Sequence, residues 1–261
     1  MDFENVILEQ SDGIATIRMN RPKELNTLNL GLTGDLLKAL EVCTDDELTK
    51  AMIITGTGKS FCAGGDVVTF KQSKDLGDTT RQMTKLFDPL ISGIRRTGKP
   101  VIAMINGAAM GAGISLAAAC DLRICAASAV FRQAYTSVGL TPDGAWSLHV
   151  PLLIGFGRAS ELLFLDPIFD SRKAFEIGFV NEVVDDADLE KVTREKAQRI
   201  VKGPLAAFAI AKENLNTALL GLLESQLEKE RLGIFKAART KDALEGIASM
   251  LEKRKPSFSG K

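Results

Sequence analysis

The chain has 261 residues, of which 45% are hydrophobic and 25% are charged, as is usual for a globular protein with one large core. Lysine plus arginine equals aspartate plus glutamate at 33 each, so no net charge favours nucleic acid or an anionic membrane as a partner. A single histidine and four cysteines without Cys-x-x-Cys spacing make a metal site or a histidine-dependent nucleophile hard to build. We therefore expect no metal and no nucleic-acid partner.

The amino terminus lacks the basic start and apolar run of a signal peptide. Apolar stretches long enough to span a bilayer are also missing from the sequence. These two observations lead us to expect a cytoplasmic protein without membrane association.

Apolar periodicity predicts alternating strands and helices over the first two-thirds of the chain. The predicted elements are, in order, a hairpin at 6–9 and 14–19, a helix at 31–42, a strand at 51–55, a helix at 81–96, a strand at 101–105, a helix at 111–119 and short strands at 122–125 and 129–131. This alternation is typical of a largely parallel sheet covered by helices.

The last third of the chain is predicted to be mostly helical. A turn at 141–145 opens a short helix, a second helix covers 159–165, a helix and a strand share 171–184, and helices with breaks at 203–204 and near 240 follow. We accordingly predict a core at 1–187 that carries the site and a helical region at 188–261.

Two glycine-rich loops are candidate binding elements. The first, from Gly56 to Asp66, follows a buried strand, and the second contains Gly107, Gly111 and Gly113 at a strand-to-helix junction. The first turn of a helix presents unpaired N–H groups, so the second loop is suited to an anion or to an oxygen that becomes negative during a reaction. Small residues at such a junction are equally explained by close helix packing, and these residues alone leave both interpretations open.

Several segments together resemble one enzyme family. They are Asn20-Arg-Pro, Ser60-Phe-Cys-Ala-Gly-Gly-Asp, Ile105-Asn-Gly-Ala-Ala-Met-Gly-Ala-Gly followed by Cys120-Asp, Ser137-Val-Gly-Leu-Thr-Pro-Asp-Gly, and Lys253-Arg-Lys-Pro-Ser-Phe. Their order and spacing resemble the crotonase (enoyl-CoA hydratase/isomerase) superfamily over essentially the whole chain. The resemblance implies an α/β crotonase (ClpP-like) spiral of ββα units with a helical C-terminal region, assembled as a homotrimer or a dimer of trimers.

The resemblance also implies a substrate and its binding groups. Crotonase-like enzymes bind acyl-CoA thioesters and hold the thioester oxygen on two backbone N–H groups, which here fall on Gly65 and Ala112. The residues implied beside coenzyme A are Lys23, Leu25, Cys62, Ala63, Gly64, Asp66 and Val67. No cofactor is implied beyond the coenzyme A of the substrate. The basic tail from Leu251 to Lys261 either reaches the phosphates of coenzyme A or is a solvated helix end.

The matching positions disfavour simple hydration. The two glutamates of the family's hydratases match Ser115 and Tyr135, neither of which can replace a carboxylate as a base. Glutamate is absent between Glu47 and Glu161. A hydratase using the usual pair is therefore not expected from this chain.

Asp143 is the remaining candidate base. By its sequence alone, an aspartate after proline at a helix start is typical of an N-cap. Several crotonase-like isomerases, including Δ3,Δ2-enoyl-CoA isomerases and the ring-epoxide isomerases of phenylacetate breakdown, carry a carboxylate at the matching position. The resemblance therefore implies that Asp143 moves a proton on a 3-enoyl-CoA or a related substrate. The implied substrate pocket consists of Met110, Gly111, Ser115, Tyr135, Val138, Leu140 and Trp146.

Three alternatives stay open at this point. The chain also resembles chlorobenzoyl-CoA dehalogenases, in which the matching aspartate attacks an aromatic ring. An enoyl-CoA hydratase in the broad family sense and an acyl-CoA-binding protein without catalysis are the others. We expect substrate shape to depend on a loop from Phe70 to Thr84 and on the helix around Trp146.

Overall fold

The computed structural model describes residues 3–219 and 221–261. Its helices are α1 Leu30–Asp45, α2 Val67–Gln72, α3 Leu76–Arg96, α4 Ala112–Ala119, α5 Trp146–Ile154, α6 Phe156–Leu165, α7 Ser171–Glu176, α8 Leu189–Val201, α9 Leu205–Leu219, α10 Leu223–Ala237 and α11 Lys241–Leu251. Its strands are β1 Val6–Ser11, β2 Ile14–Met19, β3 Ala51–Gly56, β4 Ser60–Cys62, β5 Val101–Ile105, β6 Ala108–Met110, β7 Leu122–Ala126, β8 Val130–Arg132, β9 Phe169–Asp170 and β10 Glu182–Val184.

A six-stranded sheet in the order β1-β2-β3-β5-β7-β10 forms the centre of the fold. Only β1 and β2 pair antiparallel, and the other neighbours are parallel. Because side chains alternate across a strand, Met52 and Ile54 of β3 join the main core while Ile53 joins a second cluster that includes Leu189 and Ala197 of α8. Both faces are covered, which explains the continuous apolar runs in the sequence.

A second, smaller sheet in the order β4-β6-β8-β9 stands beside the first. In each of the successive pairs β3–β4, β5–β6 and β7–β8, the first strand lies in the large sheet and the second in the small one. This repeated arrangement is the ββα spiral expected from the resemblance. The strands of the small sheet are two or three residues long, too short for a periodic pattern. The sequence therefore predicts loops at the residues that form β4 and β6.

The segment from Phe70 to Thr84 is not a loop, which corrects the expectation. It contains the end of α2 and the first half of α3, which begins at Leu76 and not at Arg81. The Asp75 side chain caps this helix by accepting from the Asp78 N–H at 3.0 Å. An aspartate three residues ahead of an N–H that needs a partner is a start signal that the sequence contains.

The C-terminal helices close over the core. Helix α8 covers the outer face of the large sheet, whereas α10 packs on α3 and α11 packs on the segment around Val138. The contact with α11 is close, since a Cβ added to Gly246 would lie 2.4 Å from the Val138 carbonyl carbon. The tail folds back on α11 as well, where the Ser259 and Gly260 N–H groups donate to Asp242. Within residues 3–219 and 221–261, every helix is too short or too polar to cross a bilayer.

The two glycine-rich loops contact each other through their backbones. A Cβ on Gly113 would lie 2.1 Å from the Cys62 carbonyl oxygen, and one on Gly64 would lie 3.0 Å from the Met110 carbonyl oxygen. Such distances exclude a side chain at Gly113 unless the loops separate. The small residues therefore allow two separate loops to meet.

Gly113→Ala tests this contact. The added methyl group collides with the Cys62 carbonyl, so we expect the free energy of unfolding to fall by about 1–3 kcal/mol. Gly157→Ala in α6 is the matched control, because its Cβ meets nothing within 4 Å and alanine favours a helix. Urea unfolding of both variants measures the difference. Equal stability of the two variants would contradict close contact between the loops.

Candidate active site

A cleft of about 680 Å³, including its part open to solvent, lies where the two glycine loops meet. Its walls come from both loops, from α2 and α3, from the segment 134–143 and from α10 and α11. The lining is mostly apolar, with a few polar groups at one end, as is usual for small-molecule sites. The lining residues are Leu28, Ala63, Gly64, Gly65, Val67, Phe70, Thr80, Met83, Phe87, Gly111, Ala112, Ala134, Tyr135, Val138, Leu140, Asp143, Ile234 and Met250.

Two backbone N–H groups are available in this cleft. Leu28 pairs with the first loop, donating to the Gly64 carbonyl at 2.7 Å and accepting from the Asp66 N–H at 2.9 Å. Alternate amides of an extended segment point to opposite sides, so the Gly65 N–H faces away from Leu28. Ala112 is the first residue of α4, where an N–H has no partner within the helix. Neither N–H donates to any group among residues 3–219 and 221–261.

Asp143 is a buried residue of the cleft lining, with 8% of its surface exposed. The backbone beyond it turns sharply, with φ of +65° at Gly144 and +59° at Ala145. A Cβ on Gly144 would lie 2.3 Å from the Phe87 ring, so glycine is required where this turn passes α3. Burial raises the pKa of the Asp143 carboxyl to about 6, although a hydrogen bond from Tyr135 acts in the opposite direction.

Ser115 and Tyr135, which match the hydratase glutamates, both contact Asp143. The Tyr135 hydroxyl donates to Asp143 Oδ1 at 2.6 Å, and the Ser115 hydroxyl donates to the Asp143 carbonyl at 2.8 Å. Ser115 Oγ and Tyr135 Oη lie 3.1 Å apart. Burial raises the pKa of Tyr135 well above its ordinary value, so its hydroxyl remains a donor at neutral pH. The two side chains therefore hold Asp143 by hydrogen bonds.

Two further carboxyl groups lie near enough to feel the charge of Asp143 and were missed by sequence reasoning. Burial raises the pKa of Asp88 on α3 to about 8 and that of Glu230 on α10 to about 7, and the negative charge of Asp143 raises both further. Glu230 accepts from the N–H of Ser147 at 2.9 Å, which supplies the first turn of α5 with the acceptor that its own N-cap, Ala145, lacks. Because both residues are far from Asp143 in the sequence, no local motif connects them with it.

The structure brings most of the implied pocket residues together. Of these, Gly111, Tyr135, Val138 and Leu140 line the cleft, as do Ala63, Gly64 and Val67 of the implied coenzyme A site. Lys23 and Leu25 are exposed next to the first loop, since the Leu25 carbonyl accepts from the Ala63 N–H at 3.1 Å.

The remaining implied residues lie behind the cleft wall. Asp66 caps α2 and forms an ion pair with Arg21 at 3.1 Å. Cys62 and Ser115 are fully buried, Met110 is half-buried and Trp146 is 2% exposed. These four support the cleft and do not line it.

Other lining residues were not identified from the sequence. Thr80, Met83 and Phe87 share one face of α3 at helical spacing. Because a loop was expected up to Thr84, this periodicity was not recognised. Ile234 and Met250 come from α10 and α11, and only the folded chain brings them to the cleft.

Residues 9–261 match the family model described as Enoyl-CoA hydratase/isomerase. The chain is 34% identical to a probable enoyl-CoA hydratase of Rhodobacter capsulatus, over 100% of both chains. It is 33% identical to 1,2-epoxyphenylacetyl-CoA isomerase of Escherichia coli, over 99% of this chain and 100% of the relative. The solved structure of an enoyl-CoA hydratase from Mycobacterium avium subsp. paratuberculosis is similar with a TM-score of 0.90 and 28% identity, over 99% of this chain and 100% of that chain.

These similarities and the ββα spiral define the class of protein. The chain belongs to the enoyl-CoA hydratase/isomerase family and has the crotonase fold. It is an enzyme of that family, and the relatives include both hydratases and isomerases.

Asp143→Asn tests the burial of this carboxyl through stability. A buried acid with a raised pKa lowers the stability of the folded state as pH rises from about 4 through 6, because the unfolded chain ionises first. Asparagine still accepts the Tyr135 hydroxyl and cannot ionise. We therefore expect the variant to unfold at higher urea at pH 7.5, by at most about 3 kcal/mol, with no advantage at pH 4.

The control is Asp186→Asn, where the sign is opposite. Hydrogen bonds from Ser128 lower the pKa of Asp186, so this variant loses stability at pH 7.5. Equal effects of the two substitutions at both pH values would contradict a destabilised Asp143 carboxylate.

Proposed function

We propose that the protein is an acyl-CoA isomerase that shifts a double bond, converting a 3-enoyl-CoA or a related ring or dienoyl-CoA thioester into its 2-enoyl isomer. The observation that carries this proposal is the Asp143 carboxylate, the one carboxylate among the described residues that line the cleft, in the same cleft as the free N–H groups of Gly65 and Ala112. A proton that only moves between two carbons needs one acid–base group and no water. The reaction requires no cofactor beyond the coenzyme A of the substrate.

The proposed reaction has two proton transfers. Asp143 takes the proton α to the thioester, and the electrons of that C–H bond move to the carbonyl oxygen to give a dienolate. The N–H groups of Gly65 and Ala112 stabilise this oxygen, a contribution of about 3 kcal/mol for each donor in comparable sites. Asp143 then returns the proton to the γ carbon, and the enolate electrons move back to re-form the carbonyl with a conjugated double bond. A pKa near 6 suits a group that both accepts and returns a proton.

The alternative of hydration has less support from the site. A hydratase needs two groups that activate one water and deliver its protons, but Ser115 and Tyr135 occupy those positions and are engaged with Asp143. Because relatives such as the probable hydratase of Rhodobacter capsulatus are named hydratases, hydration is the competing outcome. Chromatography of the products from a 3-enoyl-CoA separates a 2-enoyl-CoA from a 3-hydroxyacyl-CoA.

Asp143→Asn tests the proposed base directly. We expect loss of about 10²–10⁴-fold in turnover of a 3-enoyl-CoA, because the variant lacks the general base. Binding of coenzyme A, measured by calorimetry, stays within a few-fold of the original because its implied site lies on the first loop. Solvent deuterium incorporation into the acyl chain falls with turnover in the same variant.

Three results would contradict the proposal. Full activity of Asp143→Asn would show that Asp143 is not the base. Tight acyl-CoA binding without any proton exchange by the original protein would indicate a binding protein. A covalent aryl adduct on Asp143 in mass spectra after incubation with 4-chlorobenzoyl-CoA indicates a nucleophile, as in the dehalogenases.

We also propose that the chain assembles into a homotrimer or a dimer of trimers. Apolar side chains that are between 65% and 81% exposed stand on α6 and the segment after it, at Phe156, Phe164, Leu165 and Ile168. Monomeric proteins rarely leave such a surface uncovered, so a second copy of this chain is the partner that we assign to it.

Phe164→Glu combined with Ile168→Glu tests this assembly. Burying two carboxylates in an apolar contact is unfavourable, so we expect the particle mass from light scattering to fall. Leu48→Glu, at an equally exposed residue elsewhere, leaves the mass unchanged. A monomeric original protein, or a double variant of unchanged mass, would contradict the assignment of this surface.

A further inference from the structure

The hydrogen bonds around Asp143 form a closed loop of three buried oxygen contacts. The loop runs from Asp143 Oδ1 to Tyr135 Oη at 2.6 Å, from there to Ser115 Oγ at 3.1 Å, and from Ser115 Oγ to the Asp143 carbonyl at 2.8 Å. Ser115 is fully buried and Tyr135 is 6% exposed. The loop starts and ends on the same residue.

Hydrogen counting restricts how this loop is filled. Each of the two hydroxyl groups has one hydrogen to donate. With Asp143 ionised, Tyr135 donates to Oδ1 and Ser115 donates to the carbonyl, which leaves the longest contact, of 3.1 Å, without a hydrogen. This arrangement satisfies the carbonyl and one carboxylate oxygen and leaves Asp143 Oδ2 as the other acceptor.

Asp143 Oδ2 differs from Oδ1 in its surroundings. Among residues 3–219 and 221–261 it accepts no hydrogen bond from another residue, and it is not sealed from solvent, while Asp143 lines the cleft. A proton arriving from substrate therefore meets Oδ2 more readily, because both lone pairs of Oδ2 are available whereas the Tyr135 hydroxyl occupies one of the two at Oδ1.

We propose that Tyr135 and Ser115 are positioning residues that reserve Oδ1 and the carbonyl of Asp143, so that Oδ2 alone takes up and returns the substrate proton. The proposal rests on the proposed function and deepens it. Tyr135 additionally stabilises the ionised carboxylate, which offsets part of the free-energy cost of burying its charge. Ser115 lies on α4 and holds the backbone of Asp143 through the hydrogen bond to its carbonyl. The first N–H of the same helix is available to the thioester oxygen. The base and one of the two donors are thereby fixed to one element.

Other titratable groups act on the site around Asp143. Burial raises the pKa of Asp88 on α3 to about 8 and that of Glu230 on α10 to about 7, and the negative charge of Asp143 raises both further. Glu228 and Arg231 of α10 also act on Asp88, and they are paired with each other. Because these carboxyl groups titrate close to Asp143, the signal of the Asp143 carboxyl itself assigns the acidic limb of the pH profile.

Tyr135→Phe and Ser115→Ala test the proposal, with Ser137→Ala as the matched control. The Ser137 hydroxyl bonds to the Ala134 carbonyl outside the loop. In Tyr135→Phe we expect the acidic limb of kcat to move about one to two pH units higher, because the carboxylate loses a hydrogen bond to its charged form. In Ser115→Ala we expect kcat to fall about tenfold with KM within about twofold, from loss of positioning. Ser137→Ala keeps the original profile.

A readout independent of turnover separates this proposal from the proposed function. The Asp143 carboxyl is followed by ¹³C NMR of protein labelled at aspartate, with Asp143→Asn identifying its signal. An apparent pKa that rises in Tyr135→Phe supports the loop even when 3-enoyl-CoA is not converted, in which case only the proposed function fails. An unchanged pKa and an unchanged limb in Tyr135→Phe overturn the proposal. So does a Ser115→Ala variant that is indistinguishable from Ser137→Ala.

Discussion

The contact between the two glycine-rich loops is the constraint on which the site depends. Gly113 lies against the Cys62 carbonyl and Gly64 lies against Met110, so the loops meet without intervening side chains. Because they meet, the amides of Gly65 and Ala112 open into one cleft, although 46 residues lie between these two positions in the sequence. Donors carried by the backbone are fixed before substrate arrives, which is what stabilisation of a developing oxyanion requires.

Burial gives Asp143 its chemical character and makes the site unfavourable for stability. A carboxyl group beneath α3 and the C-terminal helices ionises with difficulty, and its pKa rises to about 6. Tyr135 compensates in part through its hydrogen bond to the carboxylate, Ser115 holds the Asp143 carbonyl, and Glu230 supports the following turn by accepting from Ser147. A buried acid held by hydrogen bonds from two side chains is a common way in which an active site is maintained at a cost to stability.

Much of the fold could be predicted from the sequence, because central strands of the large sheet such as β3 and β5 are buried and apolar on both faces and the helices are periodic. The small sheet could not, since strands such as β4 and β6 are three residues long and contain no pattern. The candidate base and the two N–H groups were found through motifs, and the structure places them in one cleft. Ile234, Met250 and Glu230 reach the site only through the packing of α10 and α11, which no local signal records.

The central claim is that one carboxylate and two backbone amides act on the same thioester. A crystal structure with a non-reactive 3-enoyl-CoA analogue bound tests it most directly. We expect the thioester oxygen about 2.7–3.1 Å from the nitrogen atoms of both Gly65 and Ala112, with Asp143 Oδ2 beside the α and γ carbons. A thioester oxygen away from these amides, or an Asp143 side chain turned from the acyl chain, would contradict the claim.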